Sequence, residues 1–416
     1  MLSGEDISSK HLKNDMMEAL PPTCSIISIS KKTQLKLSSH STKLYDQSDG
    51  DIEIIEKVKF VKGRQRNYMI DSKYITALRM ERQHLNKPAT EAEYNALYRD
   101  TSPGQNVYWC GFGDPPSLTF RADFNDMEYN RERQRNRTLV KGRFQGGNLG
   151  WIESSDMELF ACMCRKPLDR PTESQQTLMD VIEREGPLNI QSMKEMTGML
   201  VKEITPILHR LQEAFLIYED QFDGAWDRGW YQFAEMFPDV NFRRYTKIEA
   251  LKIVLKRFAY RNVLFNVDMA KSFYKMPVKD VKTAVAELLC EGEIMEIEGG
   301  YLLKTDYNLL QNTVVEFQKN IFVLHRNDFL VKSHEYDLKE KYKHHEYDIL
   351  QYILIDGEFH GAVLGHFKNG PYIIEDVVLD SGIKNEKEEI IDAVYRVNNR
   401  KKSPVKRYMG REEMPL

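Results

Sequence analysis

Apolar positions along the chain change period several times, and those changes outline its elements. From residue 71 the pattern is helical: Asp71 is placed to cap a helix whose apolar positions Tyr74, Ile75 and Leu78 recur three and four residues apart. Thr90 followed by Glu93 makes a capping box for a second helix. The Gly- and Pro-dense segment GQNVYWCGFGDPPS follows, and then TLVKGRFQGGNLGWIES, whose alternation and glycines predict a hairpin. Two helices and a hairpin read as one winged helix.

The arrangement returns twice. SQQTLMDVIERE places Leu178, Val181 and Ile182 on one face, Gly186 and Pro187 end that helix, and NIQSMKEMTGM supplies a second. A third helix is predicted from about Val201 to Ala214, with Lys202, His209 and Arg210 on its polar side. Two short strands around Asp223-Gly224 follow, a hairpin turn signal. The next copy begins near 245, with helices ending at Phe258, around VDMAKSFYK, and from Pro277 to Cys290, then a hairpin at Gly299-Gly300. Beyond 311 the stretches IFVLHR, FLVKS, YDILQYILI, FHGAVLGHF and PYIIEDVVLD read as strands, with Asp356-Gly357 as a turn. The expected class is therefore α+β: tandem winged-helix (helix-turn-helix) domains followed by a small C-terminal β-barrel or sheet. The expected boundaries are a flexible arm 1–50, winged helices at 51–170, 171–240 and 241–310, a β-rich domain 311–397 and a basic tail 398–416. Residues 1–50 are rich in Ser and Lys without an apolar period, and DIEIIEKVKFV behind them reads as a strand.

Composition narrows the function classes. At 41% hydrophobic and 29% charged, the chain has material for real cores and too much charge for a membrane protein. No stretch approaches the ~20 apolar residues of a membrane span, and MLSGEDISSK lacks the apolar core of a signal peptide. A cytoplasmic, nucleoid-associated protein with no membrane partner is expected. Five cysteines, Cys24, Cys110, Cys162, Cys164 and Cys290, form no C-x-x-C pair, which reads as reduced thiols without a zinc site. The net charge of -4 means that affinity for phosphate must come from local clusters. The densest holds Arg131, Arg133, Arg135, Arg137, Lys141 and Arg143 against the single acid Glu132. A second includes Arg243, Arg244 and Lys247 and runs to Arg261, and a third is the tail RKKSPVKRYMGR. A charge run alone is more often a solvated face than a site. Tandem winged helices beside such clusters, together with Lys202 and Arg210, make double-stranded DNA the expected partner.

The order of the pieces, with ITALRMERQHLNKPAT, RTLVKGRFQGGNLGWIESSDMELF, VLHRNDFLV and YILIDGEFHGAVLGHF, resembles the AlkZ/YcaQ-type DNA glycosylases over about residues 70–380. These winged-helix proteins excise alkylated bases and unhook interstrand crosslinks. The resemblance implies a concave array of winged helices closed by a carboxy-terminal β-barrel, with a duplex held across a basic channel. It also implies a Gln-x-Gln or Gln-x-Asp motif that orients water against the sugar while oxocarbenium character builds. The matching place, WCGFGDPPS, holds no glutamine; Asp114 is the side chain there able to act as base, and Gln105 lies upstream. Gly-Asp-Pro-Pro is also ordinary turn chemistry, in which Asp bonds its own backbone.

Other positions have a bland reading beside a functional one. Asp227, between Trp226 and Trp230, stands to meet a base or phosphate; the tryptophans themselves suit packing. Trp109 or Phe112 suits either base stacking or a core. His344, His345 and His360 carry no metal-ligand spacing, so neither cofactor nor metal is expected. The readings left open are a possible glycosylase, a non-catalytic DNA-binding relative such as a lesion sensor or transcription regulator, and a protein-partner module. The oligomeric state is open, with a monomer the simplest expectation.

Overall fold

The computed structural model describes residues 70–107, 110, 113–220, 228–312, 319–367, 373–383 and 387–412. They belong to one compact unit that begins at Arg66. The expected arm at 1–50, the strand at 51–61, Trp109, Phe112, the Asp223-Gly224 turn, Trp226 and Asp227 lie outside the described residues.

The first group is α1 (Ser72–Arg82), α2 (Glu91–Asp100), α3 (Asp126–Arg135), the hairpin β1 (Leu139–Gln145) with β2 (Asn148–Glu153), and α4 (Met157–Cys164). Asp71 accepts from the Lys73 amide at 2.9 Å, and Thr90 with Glu93 forms the capping box that starts α2. The second group is α5 (Glu173–Glu185), α6 (Ile190–Thr197) and α7 (Val201–Glu213), then β3 (Ile217–Asp220), β4 (Gly229–Gln232) and the short α8 (Phe233–Met236). The third is α9 (Lys247–Asn262), α10 (Val267–Tyr274) and α11 (Val278–Cys290), followed by β5 (Ile294–Ile297), β6 (Gly300–Leu303) and α12 (Lys304–Asn312). Three helices and an antiparallel two-stranded hairpin thus occur in succession in both the second and third groups.

The remainder is β7 (Ile321–His325), α13 (Phe329–Ser333), α14 (Glu335–Lys341), β8 (Asp348–Ile355), β9 (Glu358–His366), β10 (Ile373–Leu379), α15 (Lys387–Val397), β11 (Arg407–Tyr408) and β12 (Arg411–Glu412). Its strands form one six-stranded sheet ordered β12-β11-β10-β9-β8-β7. The sheet has two edges and is open, so of the two expected forms it is the sheet, and the closed barrel implied by the family resemblance is corrected. Asp356 and Gly357, with φ of +52° and +81°, make the tight β8–β9 turn.

Two further corrections concern helices. FLVKS is α13 rather than a strand, because Asp328 caps it by accepting from the Leu330 amide at 2.9 Å. α15 was not expected in a β-rich region; it buries Ile390, Ala393 and Val394, at helical spacing, against Val323, Ile353, Val363 and Val377 of the sheet. The main core runs from β1, β2 and α4 through α9, α10 and α11 to the inner face of β7, β8 and β9. The second group keeps a smaller core of its own, built on Leu178, Ile182, Ile204, Leu208, Leu211 and Trp230. Cys110, Cys162, Cys164 and Cys290 are free thiols.

Candidate nucleic-acid interface

The basic run 131–143 spans the last turn of α3 and most of β1, and the fold supplies acids that are distant in sequence. Arg131 donates to the Asp114 carboxylate from Nε at 3.0 Å and from a terminal nitrogen at 2.9 Å. Arg133 is buried, with Glu153 at 2.6 Å and the Tyr98 ring beneath its guanidinium. Arg135 is exposed and meets Glu132 and Glu128 at 3.2 and 3.4 Å. Arg137, also exposed, reaches Asp220 at 2.8 Å. Lys141 is only 4% exposed and lies 3.3 Å from Glu219, while Arg143 donates to the Gly147 carbonyl at 2.6 Å. Burial lowers the Lys141 pKa and the negative Glu219 opposes that. The expectation that the whole run faces phosphate therefore does not hold for Arg133 and Lys141: Arg133, on α3, is buried against Glu153 and the Tyr98 ring, and both faces of β1 are covered around Lys141.

The remaining basic candidates divide in the same way. Arg243 is exposed ahead of α9; Arg244 lies 3.9 Å from Glu158, and Lys247 pairs with Asp280 at 2.6 Å. Lys202 is exposed in the first turn of α7. Arg210 instead donates to the carbonyls of Lys166 and Pro167 at 2.9 and 2.8 Å, fastening α7 to the preceding loop. The sequence reading passed over α11, whose buried positions Val281, Ala284, Val285 and Leu288 leave Lys279, Lys282, Thr283 and Ala286 exposed along one face. Among the described residues, Lys279 and Lys282 meet no carboxylate within salt-bridge distance, because Asp280 is engaged by Lys247 and Glu287 by Lys252.

Beside this group lies a cleft of about 490 Å³ lined by Gln105, Asn106, Asn148, Leu149, Lys275, Asn327, Lys332 and Glu335. Its walls come from the segment after α2, the tip of the β1–β2 hairpin, the end of α10, and the α13–α14 region. Gln105 donates to Gln145 at 2.7 Å, and Gln145 donates to the Phe273 carbonyl at 2.9 Å, so the first wall is tied to α10. Asn327 donates to the Asn106 carbonyl at 2.7 Å, and Asn148 donates to the Gln145 carbonyl at 2.9 Å. Asn106 donates to the Asp114 carbonyl at 3.4 Å, which sets Asp114 behind this wall. Asp114 is not among the lining residues, and its carboxylate is engaged by Arg131. Of the lining side chains only Gln105 was singled out from sequence. Asn106, Asn148, Asn327, Lys332 and Glu335 come from two loops, the start of β2, α13 and α14, and carry no spacing that could have announced them.

The other sequence candidates among the described residues sit apart from the cleft's lining. Trp230 is buried in the core of the second group. His344 stacks on His345 and on Tyr347, with ring centroids 4.7 Å apart in each pair, and His360 meets Asp380 at 3.2 Å. No helix among the described residues is long and apolar enough to cross a membrane.

This architecture has a counterpart among solved structures. The chain is similar in fold to the Streptomyces sahachiroi DNA glycosylase AlkZ, with a TM-score of 0.59 over 81% of this chain and 99% of that one. Identity is 14%, so the likeness establishes the mixed α+β fold. No family profile and no curated protein matches the sequence.

Proposed function

We propose that this chain binds duplex DNA, with α10 and α11 as a helix-turn-helix, β5–β6 as its wing, and the α6–α7 and β3–β4 group as a second winged helix within 171–240. The observation that carries the reading is the open face of α11. Lys279, Lys282 and Thr283 project from one side of the third helix, Ala286 lets a partner approach closely, and the neighbouring acids are engaged elsewhere. A helix of this kind enters a major groove with its amino-terminal residues nearest the bases. Arg135, Arg137, Arg243, Arg244 and Lys202 are exposed and supply sequence-independent contacts in this reading.

The test is fluorescence anisotropy with a labelled duplex across a salt series, comparing the full chain with Lys279→Glu/Lys282→Glu. The expected outcome is salt-dependent binding whose slope in log K against log salt flattens by about 0.9 for each lost phosphate contact. Binding that is indifferent to salt would leave the protein-partner reading standing in its place.

One observation favours a second reading, hydrolysis of the bond between a modified base and deoxyribose: a pocket walled by four carboxamides suits holding a base edge and orienting water. With Asp114 held by Arg131, Gln105 is the better-placed assisting group in that reading. Incubation with a duplex carrying an alkylated purine or a nitrogen-mustard crosslink, followed by alkali, separates the two. Strand breaks that vanish in Gln105→Ala and survive in Asp114→Asn support excision at the cleft; tight binding without breaks supports a non-catalytic relative.

A further inference from the structure

Three ammonium groups converge on one carboxylate at the edge of the cleft. Glu335 accepts from Lys275 at 2.8 Å, from Lys332 at 3.0 Å and from Lys339 at 2.7 Å. Glu335 and Lys332 are each 13% exposed at the side chain, so neither is a loose surface group. The lysines are held by backbone as well as by charge. Lys275 sits in the left-handed region, φ +54°, where α10 ends, and the hairpin tip packs directly on it: a Cβ on Gly146 would lie 2.9 Å from the Lys275 Cβ. The Lys332 carbonyl accepts from the Ser272 hydroxyl at 3.3 Å. One negative charge thus faces three positive ones. The groove next to the cluster adds Lys271, Asp268 and Asp337, but among the described residues the cleft itself carries Lys275 and Lys332 against Glu335 alone, with four carboxamides. A carboxamide nitrogen already donating once keeps a second hydrogen for an oxyanion.

We infer that Lys275 and Lys332, spaced by Glu335, form a binding site for a phosphate group at the mouth of the cleft, and that its ligand is a phosphodiester of the bound strand. Glu335 is a positioning residue here: it keeps two ammonium groups within reach of one oxyanion while cancelling only one charge. Seated there, the phosphate fixes the register of the strand and sets which nucleotide stands opposite Gln105, Asn106 and Asn327. The identity of the ligand rests on the duplex-binding reading; the phosphate site does not.

The experiment therefore has two arms, both with the full chain. In the first, duplex affinity is measured between about 50 and 200 mM salt for wild type, Lys275→Gln/Lys332→Gln, Lys275→Arg/Lys332→Arg and Glu335→Gln. The expected result is a slope flattened by about 0.9 in the Gln pair, kept in the Arg pair, and steepened in Glu335→Gln. Equal slopes in all four overturn the strand phosphodiester as the ligand and leave the duplex reading intact. In the second, inorganic phosphate is titrated against thermal unfolding. A rise in Tm for wild type that is absent in the Gln pair supports the site, and in a protein that binds no duplex it assigns the site to free phosphate. No rise in wild type, together with equal slopes or no duplex binding, overturns the site.

Discussion

His334 and its neighbour Glu335 titrate on different sides of mild acidity. Burial, then the positive charge of Arg79, brings the His334 pKa down to about 4, so the folded protein favours neutral imidazole. A free histidine titrates near about 6.5; this residue therefore supports folding fully above that pH and loses its contribution as the pH falls toward about 4. Burial raises the Glu335 pKa, but hydrogen bonds from Lys275 and Lys339 and the charge of Lys332 outweigh it and bring the value to about 2. Its contribution is full above an ordinary glutamate pKa of about 4.3 and fades only toward about 2. Acid lability should thus begin at the histidine. Urea unfolding at pH 7 and at pH 4 should show wild type losing about 1–3 kcal/mol more between the two than His334→Gln does. Parallel losses would remove His334 from the account. At this scale the sequence was least legible. Lys141 looked like its neighbours in the basic run until the fold set Glu219 against it. Lys279 and Lys282 went unnoticed because Asp280 and Glu287 cancel them along the chain, while in space those acids belong to Lys247 and Lys252.

Among the elements, α13 shows how a short helix is fixed in place and why it was misread. Five residues cannot hold a helix through propensity, and Phe329, Leu330 and Val331 are apolar in a row, which suits a buried strand equally well. What decides is Asp328. It caps the helix and accepts a two-pronged bond from Arg121, at 2.7 and 3.0 Å, and Arg121 is only 1% exposed. The guanidinium also donates to the Gln83 side chain and the Thr119 carbonyl, so it joins the end of α1 and the segment before α3 to the wall bearing Asn327 and Lys332. Arg121→Met leaves a buried carboxylate without its partner and is expected to cost about 3–5 kcal/mol in chemical denaturation, whereas Arg121→Met/Asp328→Leu should recover a large part of that loss. A double variant no more stable than the single one would show that the charge pair is not what holds α13. Helices with a strong local start were readable: Asp71 before α1 and Thr90 with Glu93 at α2 gave the termini directly. α15 was hidden because its amphipathic stripe faces a sheet in a region where strands dominated the pattern.

For the described unit as a whole, apolar packing is unevenly shared, and that sets where it should open first. The principal core draws on α4, β1, β2, α9, α10, α11 and the sheet, so most of these elements cannot leave without exposing residues of all the others. The second group is different. Leu178, Val181, Ile182, Met193, Ile204, Leu208, Leu211, Ile217 and Trp230 pack on one another, and the group joins the main core through Phe215, Tyr218 and Phe233. Its further ties include Met236 and Phe237 against the main core, hydrogen bonds from Arg165 and Lys166 to the carbonyls of Ala214 and Glu213, and the ion pairs of Lys141 with Glu219 and Arg137 with Asp220. Charged pairs of this kind add less than buried apolar area does, and water competes for the exposed Arg137 partner. The group should therefore behave as its own cooperative unit, opening at lower free energy than the remainder. Hydrogen exchange in rising urea is the measurement: amides of α5, α6 and α7 are expected to merge into one sub-global opening at lower denaturant than those of α9, α11 and β8. Lys141→Met, which leaves the buried Glu219 with Arg228 as its partner and removes the tie to β1, should lower that opening further while leaving exchange in α11 nearly unchanged. If α5–α7 and α9–α11 instead exchange together in both proteins, Phe215, Tyr218 and Phe233 weld the two cores into one. A duplex held through α11 would then have to stabilise α7 as strongly as α11 itself.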